Sequence, residues 1–163
     1  MPGQRAELVA AAQGIEEMYV ARRRAERGGL RRVQQSVLPL YDRAHRFRSY
    51  QSWVVPGLLR TADYTRAVLE TVASLRDAPG EVSEAVNVRM ARQDVLHQPG
   101  RCFAFLVEEW VLRTVIADAA TLAAQLDRLI PLASLPSVSF GVIPMGVPRG
   151  NAWPTESFVI YGS

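Results

Sequence analysis

The chain contains no lysine: all nineteen of its basic residues are arginine. It has a single cysteine, Cys102, so an internal disulfide and a cysteine-cluster metal site are both excluded. Two histidines, His45 and His97, stand far apart, and neither has a His or carboxylate at the spacing of a helical zinc motif. No apolar run approaches the roughly 18 residues that a membrane span needs. The start, MPGQRAELVAAAQG, lacks the basic-then-apolar layout of a secretory signal, so a cytoplasmic location is the default expectation. No nucleophile elbow, Walker loop or dinucleotide glycine fingerprint is present, and Gly28-Gly29 follows no strand. No metal, cofactor or catalytic constellation is therefore assigned, and whether the chain is an enzyme stays open.

What is present fits one globular domain. The 163 residues are 48% apolar and 21% charged, with a net charge of +3. Ten of the arginines and only five acids fall in the first fifty residues. The segment VARRRAERGGLRR could lie along nucleic acid, but it carries no interleaved aromatics and no helix-turn-helix pattern. A solvated arginine-rich face is the plainer reading, and exclusive arginine use also fits a high-GC genome.

Apolar spacing predicts helices over 6–27, 31–50 (kinked at Pro39, or beginning near Leu38), 62–74, 81–96 and 121–132. Thr61 is placed to cap the third of these, with Asp63 in its first turn. Strand patterns occupy 101–110, 137–143 and 157–161. The expected fold is α+β: a mostly helical N-terminal half packed on a small, mainly antiparallel sheet with strands near 102–109, 137–143 and 157–161. Residues 1–35 read as a helical arm and 36–163 as the body. The apolar strand that precedes Gly162-Ser163 is expected to be a bare sheet edge or to be completed by a partner or a continuation.

Three polar features stand out. Glu108 and Glu109, if both lie in a strand, face opposite sides; one would be buried, either as an acid, base or anchor, or as the partner of an inward arginine. Arg89 and Arg92, with Gln93, are spaced to grip an anion or to pair with those glutamates. Cys102, in RCFAFLV, reads as a strand residue rather than a reactive thiol.

The phrase VVPGLLRTADYTRAVL resembles the signature Pro-Gly-Leu-Leu-Gln-Thr-x-x-Tyr-Ala-Arg-Ala of an actinobacterial domain of unknown function. That domain sits C-terminal to XRE-type helix-turn-helix regions in antitoxin-like transcriptional regulators of Streptomyces and relatives. LYDRAHRFRSYQSWVVPGLL, AVNVRMARQDVL, FAFLVEEWVLR, QLDRLIPLASLPSVSFGVIP and WPTESFVIY extend the resemblance over residues 36–162. Arg60 stands where the pattern has Gln and Thr65 where it has Ala, and neither the helix-turn-helix nor the usual C-terminal elements are recognisable. The resemblance implies a non-enzymatic regulatory module that binds a protein partner (toxin-like or a second copy) or a small ligand. Direct DNA binding is not expected. On that reading Trp53, Pro56, Gly57, Leu58, Leu59 and Tyr64 shape a wall, and Arg60, Arg66, Arg89, Arg92 and Glu108 supply polar contacts. The alternatives are a small biosynthetic enzyme or ligand carrier derived from such a domain, and an arginine-rich nucleic-acid binder.

Overall fold

The computed structural model describes residues 41, 43–75, 82–150 and 156–162. The expectations for the helix over 6–27, the Gly28-Gly29 break, the arm 1–35, the run VARRRAERGGLRR and Pro39 lie outside the described residues, as does Pro79-Gly80, which is expected to end the connection between the helices over 62–74 and 81–96.

Four strands form one sheet: β1 (Arg46–Gln51), β2 (Cys102–Glu108), β3 (Val138–Ile143) and β4 (Phe158–Gly162), in the order β3-β2-β1-β4. The α+β class is as expected, but the sheet is mixed rather than mainly antiparallel. β1 with β2 and β2 with β3 are parallel, and only β4 runs antiparallel, along β1. The reason is the connections. Helices α1 (Ala62–Leu75) and α2 (Val82–Ala91) separate β1 from β2, and α3 (Glu109–Arg113) and α4 (Ala119–Ala133) separate β2 from β3. Crossovers of that length return a strand parallel to its predecessor.

The principal correction is β1. Residues 46–50 fall at the end of the helix expected over 31–50, and Tyr41, Ala44 and Phe47 do recur at helical spacing. RFRSYQ also alternates, however, and Phe47 and Ser49 face inward while Arg46 and Arg48 are exposed. Phe47 stacks on Phe103 at 4.7 Å between ring centroids, a contact that only the pleated arrangement provides. A second correction concerns 101–110. The strand ends at Glu108, and Glu109 opens α3, so the two carboxylates do not alternate across one strand.

The helices cover one face of the sheet. Phe47, Phe103, Phe105 and Val138 from that face pack against Leu58, Leu59, Tyr64, Val95, Leu96, Val111, Leu129 and Leu132. Each such side chain contributes about 1.5–3 kcal/mol when fully buried. A satellite cluster of Leu69, Ala73, Ala85 and Val86 joins α1 to α2. The opposite face carries exposed Arg46, Arg48, Cys102, Ala104, Leu106, Phe158 and Ile160. α1 begins as expected, with Thr61 Oγ1 accepting from Tyr64 N–H at 3.2 Å and Asp63 in the first turn. Asp118 caps α4 in the same way, accepting from Thr121 N–H at 2.7 Å. α2 stops at Ala91 and tightens into a 3-10 turn over Arg92–His97. Among the described residues no helix is long and apolar enough to cross a membrane.

Candidate functional site

The chain between β1 and α1 has to turn sharply inside the core. Pro56 enters the turn, Leu59 N–H closes it onto Pro56 C=O at 2.9 Å, and Leu58 and Leu59 are buried. A buried turn leaves backbone polar groups that water cannot reach, so side chains must satisfy them. Three long polar residues do so. Gln125 of α4, fully buried, donates to Leu59 C=O at 2.9 Å and accepts from Thr61 N–H at 2.8 Å. Gln93 Nε2 donates to Arg60 C=O at 2.8 Å and to Gly57 C=O at 3.3 Å. Arg60 Nε donates to Val55 C=O at 2.6 Å. Arg128 Nη2 in turn donates to Gln93 Oε1 at 2.6 Å and fixes that amide's orientation.

Beside this joint lies a cleft of about 390 Å³, lined by Thr61, Ala62, Met90, Gln93, Asp94, Leu96, His97, Arg128 and Leu132. Its walls come from the start of α1, the end of α2 with its 3-10 turn, and α4. The cleft is half-open, and its lining mixes apolar surface (Met90, Leu96, Leu132) with a cation, a carboxylate, an imidazole and an amide.

On the far side of the joint the arginines gather. Arg60 is 5% exposed, and its guanidinium lies 5.9 Å from the centre of the Tyr64 ring. Arg92 covers Tyr41 at 5.1 Å. Burial, then the charge of Arg89, pushes Arg60 down to about 9. Burial, then the charge of Arg92, pushes Arg89 down to about 10. Burial likewise raises the Tyr64 phenol.

A second polar centre sits on the other face of the sheet, at the end of β2. Glu108, with a fully enclosed side chain, accepts from Tyr50 O–H at 2.6 Å and from Arg149 through two bonds, at 2.7 and 2.5 Å. Those arginine bonds, more than the opposing effect of burial, hold its carboxyl below the usual range. Arg149 also lies 5.8 Å from the Trp110 ring centre, and Trp110 Nε1 donates to Ser52 C=O at 2.7 Å. Glu109 accepts from Met145 N–H at 2.9 Å and from Arg113 at 2.6 Å, so the adjacent glutamates hold the segment after β3 at two points.

The structure therefore brings Arg60, Tyr64, Arg89 and Arg92 together and keeps Glu108 apart. Glu108 pairs with Arg149, not with the arginines of α2, because the two groups occupy opposite faces of the sheet. Trp53 is 72% exposed and forms no wall of the cleft. Leu58 and Leu59 belong to the core. Arg66 donates to Ser83 Oγ at 3.2 Å, an exposed brace between α1 and the start of α2. Cys102 is an exposed strand residue. Among the described residues no three His, Cys, Asp or Glu side chains converge as a metal site. Sequence reasoning does not single out Gln125, Arg128 or Arg149. The one local signal for Gln125 is its place within the apolar stripe of Leu122, Leu129 and Leu132.

A family model described as Domain of unknown function (DUF5753) matches residues 34–163. No curated protein matches, and no solved structure matches.

Proposed function

The chain belongs to the DUF5753 family, and we propose that it is a non-enzymatic binding module of regulator type that takes a small polar ligand in the cleft beside the Pro56–Thr61 joint. The cleft itself carries this reading. Its lining residues come from three separate elements, α1, the α2 turn and α4. A ligand touching all three stabilises one arrangement of them over others and so shifts the population presented to a partner. The resemblance to domains that follow XRE-type helix-turn-helix regions supports a protein partner, antitoxin-like or a second copy of this chain, as the reader of that shift.

Native mass spectrometry of the purified full chain with a library of polar metabolites tests the proposal. The expected result is retention of an unmodified compound, lost in Arg128→Leu or His97→Leu. A library from which nothing binds in a manner sensitive to those changes overturns it. A second reading, a small biosynthetic enzyme, is favoured by Asp94 and His97, which stand three residues apart and both line the cleft. Turnover of a retained compound, abolished by His97→Ala, would decide for it.

A further inference from the structure

Arg60 comes from the turn before α1, and Arg89 and Arg92 from the end of α2 and its 3-10 extension. Like charges are thus assembled within the protein. Burying one cation is unfavourable unless a counter-charge is supplied, and a neighbouring cation makes it worse. Glu108 and Glu109 form ion pairs, with Arg149 and Arg113. Among the described residues neither Arg60 nor Arg89 has such a partner. Among the described residues the Arg60 side chain is held by a neutral carbonyl and an aromatic face. Burial lowers both guanidiniums, as expected of cations drawn partly out of water.

We infer that Arg60 and Arg89 form a receptor for a small oxyanion, the carboxylate or phosphate group of a ligand, which enters past half-buried Arg89 and supplies the missing charge. A planar guanidinium matches such a group through two parallel N–H···O bonds, whereas a spherical halide has no pair of acceptor atoms to match the fork. The Tyr64 ring faces the Arg60 guanidinium, and Tyr41, at the edge of the site, faces that of Arg92. This site is separate from the cleft, since none of the three arginines lines it.

The test is thermal unfolding and calorimetric titration of the full chain with inorganic phosphate and, separately, succinate, each against sodium chloride at matched ionic strength. The expected result is a saturable rise in melting temperature with at least one oxyanion, and the arm that responds identifies the group. Arg60→Gln keeps a donor for Val55 C=O but removes the charge, and should weaken binding about tenfold or more. Arg89→Gln, at a less buried position, should do the same and carries the test if the first variant does not fold. Arg46→Gln on the exposed sheet face should bind as wild type. No saturable response to either oxyanion overturns the inference. So does a response that survives both Arg60→Gln and Arg89→Gln, or one that disappears in Arg128→Leu instead.

Discussion

Removing Arg149 should harm the protein more than neutralising its partner. The Glu108 side chain is wholly enclosed, whereas that of Arg149 is 24% exposed. Arg149→Met leaves a carboxylate in the interior with only the Tyr50 hydroxyl to stabilise it. Breaking a buried pair in this way costs about 3–5 kcal/mol. Here the truncated arginine opens a path for water, and the Tyr50 bond survives, so about 2–4 kcal/mol is expected. In Glu108→Gln the freed guanidinium can turn outward into solvent, and about 1–2 kcal/mol is expected. The pH response separates the two further. In the wild type Arg149 lowers the folded pKa of Glu108. That contribution is present above the unfolded value and is lost as pH falls below it. Without Arg149, burial dominates and raises the folded pKa, so the sign inverts and the variant recovers stability as pH falls. Urea unfolding at pH 7 and pH 5, with unchanged m-values, measures both effects. The reasoning fails if Arg149→Met is no worse than Glu108→Gln at pH 7, or if its deficit is the same at both pH values.

Gln125→Leu strands Leu59 C=O and Thr61 N–H without partners, and should cost about 2–4 kcal/mol in urea unfolding. Gly100 has a φ of +76° with open space where a Cβ would go, so Gly100→Ala should cost about 1 kcal/mol through backbone strain alone, read from the unfolding midpoint. Arg60→Gln should raise anion-free stability at pH 7 by about 1–3 kcal/mol, because it removes a buried charge that no carboxylate among the described residues balances. Differential scanning calorimetry reads that gain, and a loss of stability would show that the charge holds the joint together.

How much of this was legible follows from how local each feature is. α1 could be read from the sequence because its cap and its stripe of Tyr64, Val68 and Val72 lie within one segment. β1 could not. Six residues that alternate are outweighed by a neighbouring helical spacing until β2 and β4 arrive on either side, and those partners lie more than fifty residues away. The strand end at Glu108 was hidden for a similar reason. Glu109 and Trp110 read as the end of the strand pattern over 101–110, yet Trp110 instead turns its indole N–H to Ser52 C=O. The partner of Glu108 was legible as a type, an inward arginine, but not as a position. Arg149 lies 41 residues downstream, in a proline- and glycine-rich segment with no periodicity to place it.

The joint makes Arg60 the position whose chemistry exceeds its architectural task. The groups on either side of it are already satisfied: Gln125 takes Leu59 C=O and Thr61 N–H, and Gln93 takes the carbonyl of Arg60 itself. Only Val55 C=O depends on the Arg60 side chain, and a neutral amide could donate there without bringing a charge into the interior. The pattern that this segment resembles carries such an amide, glutamine, at this point. A guanidinium in its place adds no hydrogen bond that the fold requires and sits within reach of the charge of Arg89. The two roles predict opposite results for one substitution. A structural arginine gives a less stable protein when it becomes glutamine, whatever anion is present. A binding arginine gives a more stable protein that no longer responds to the anion.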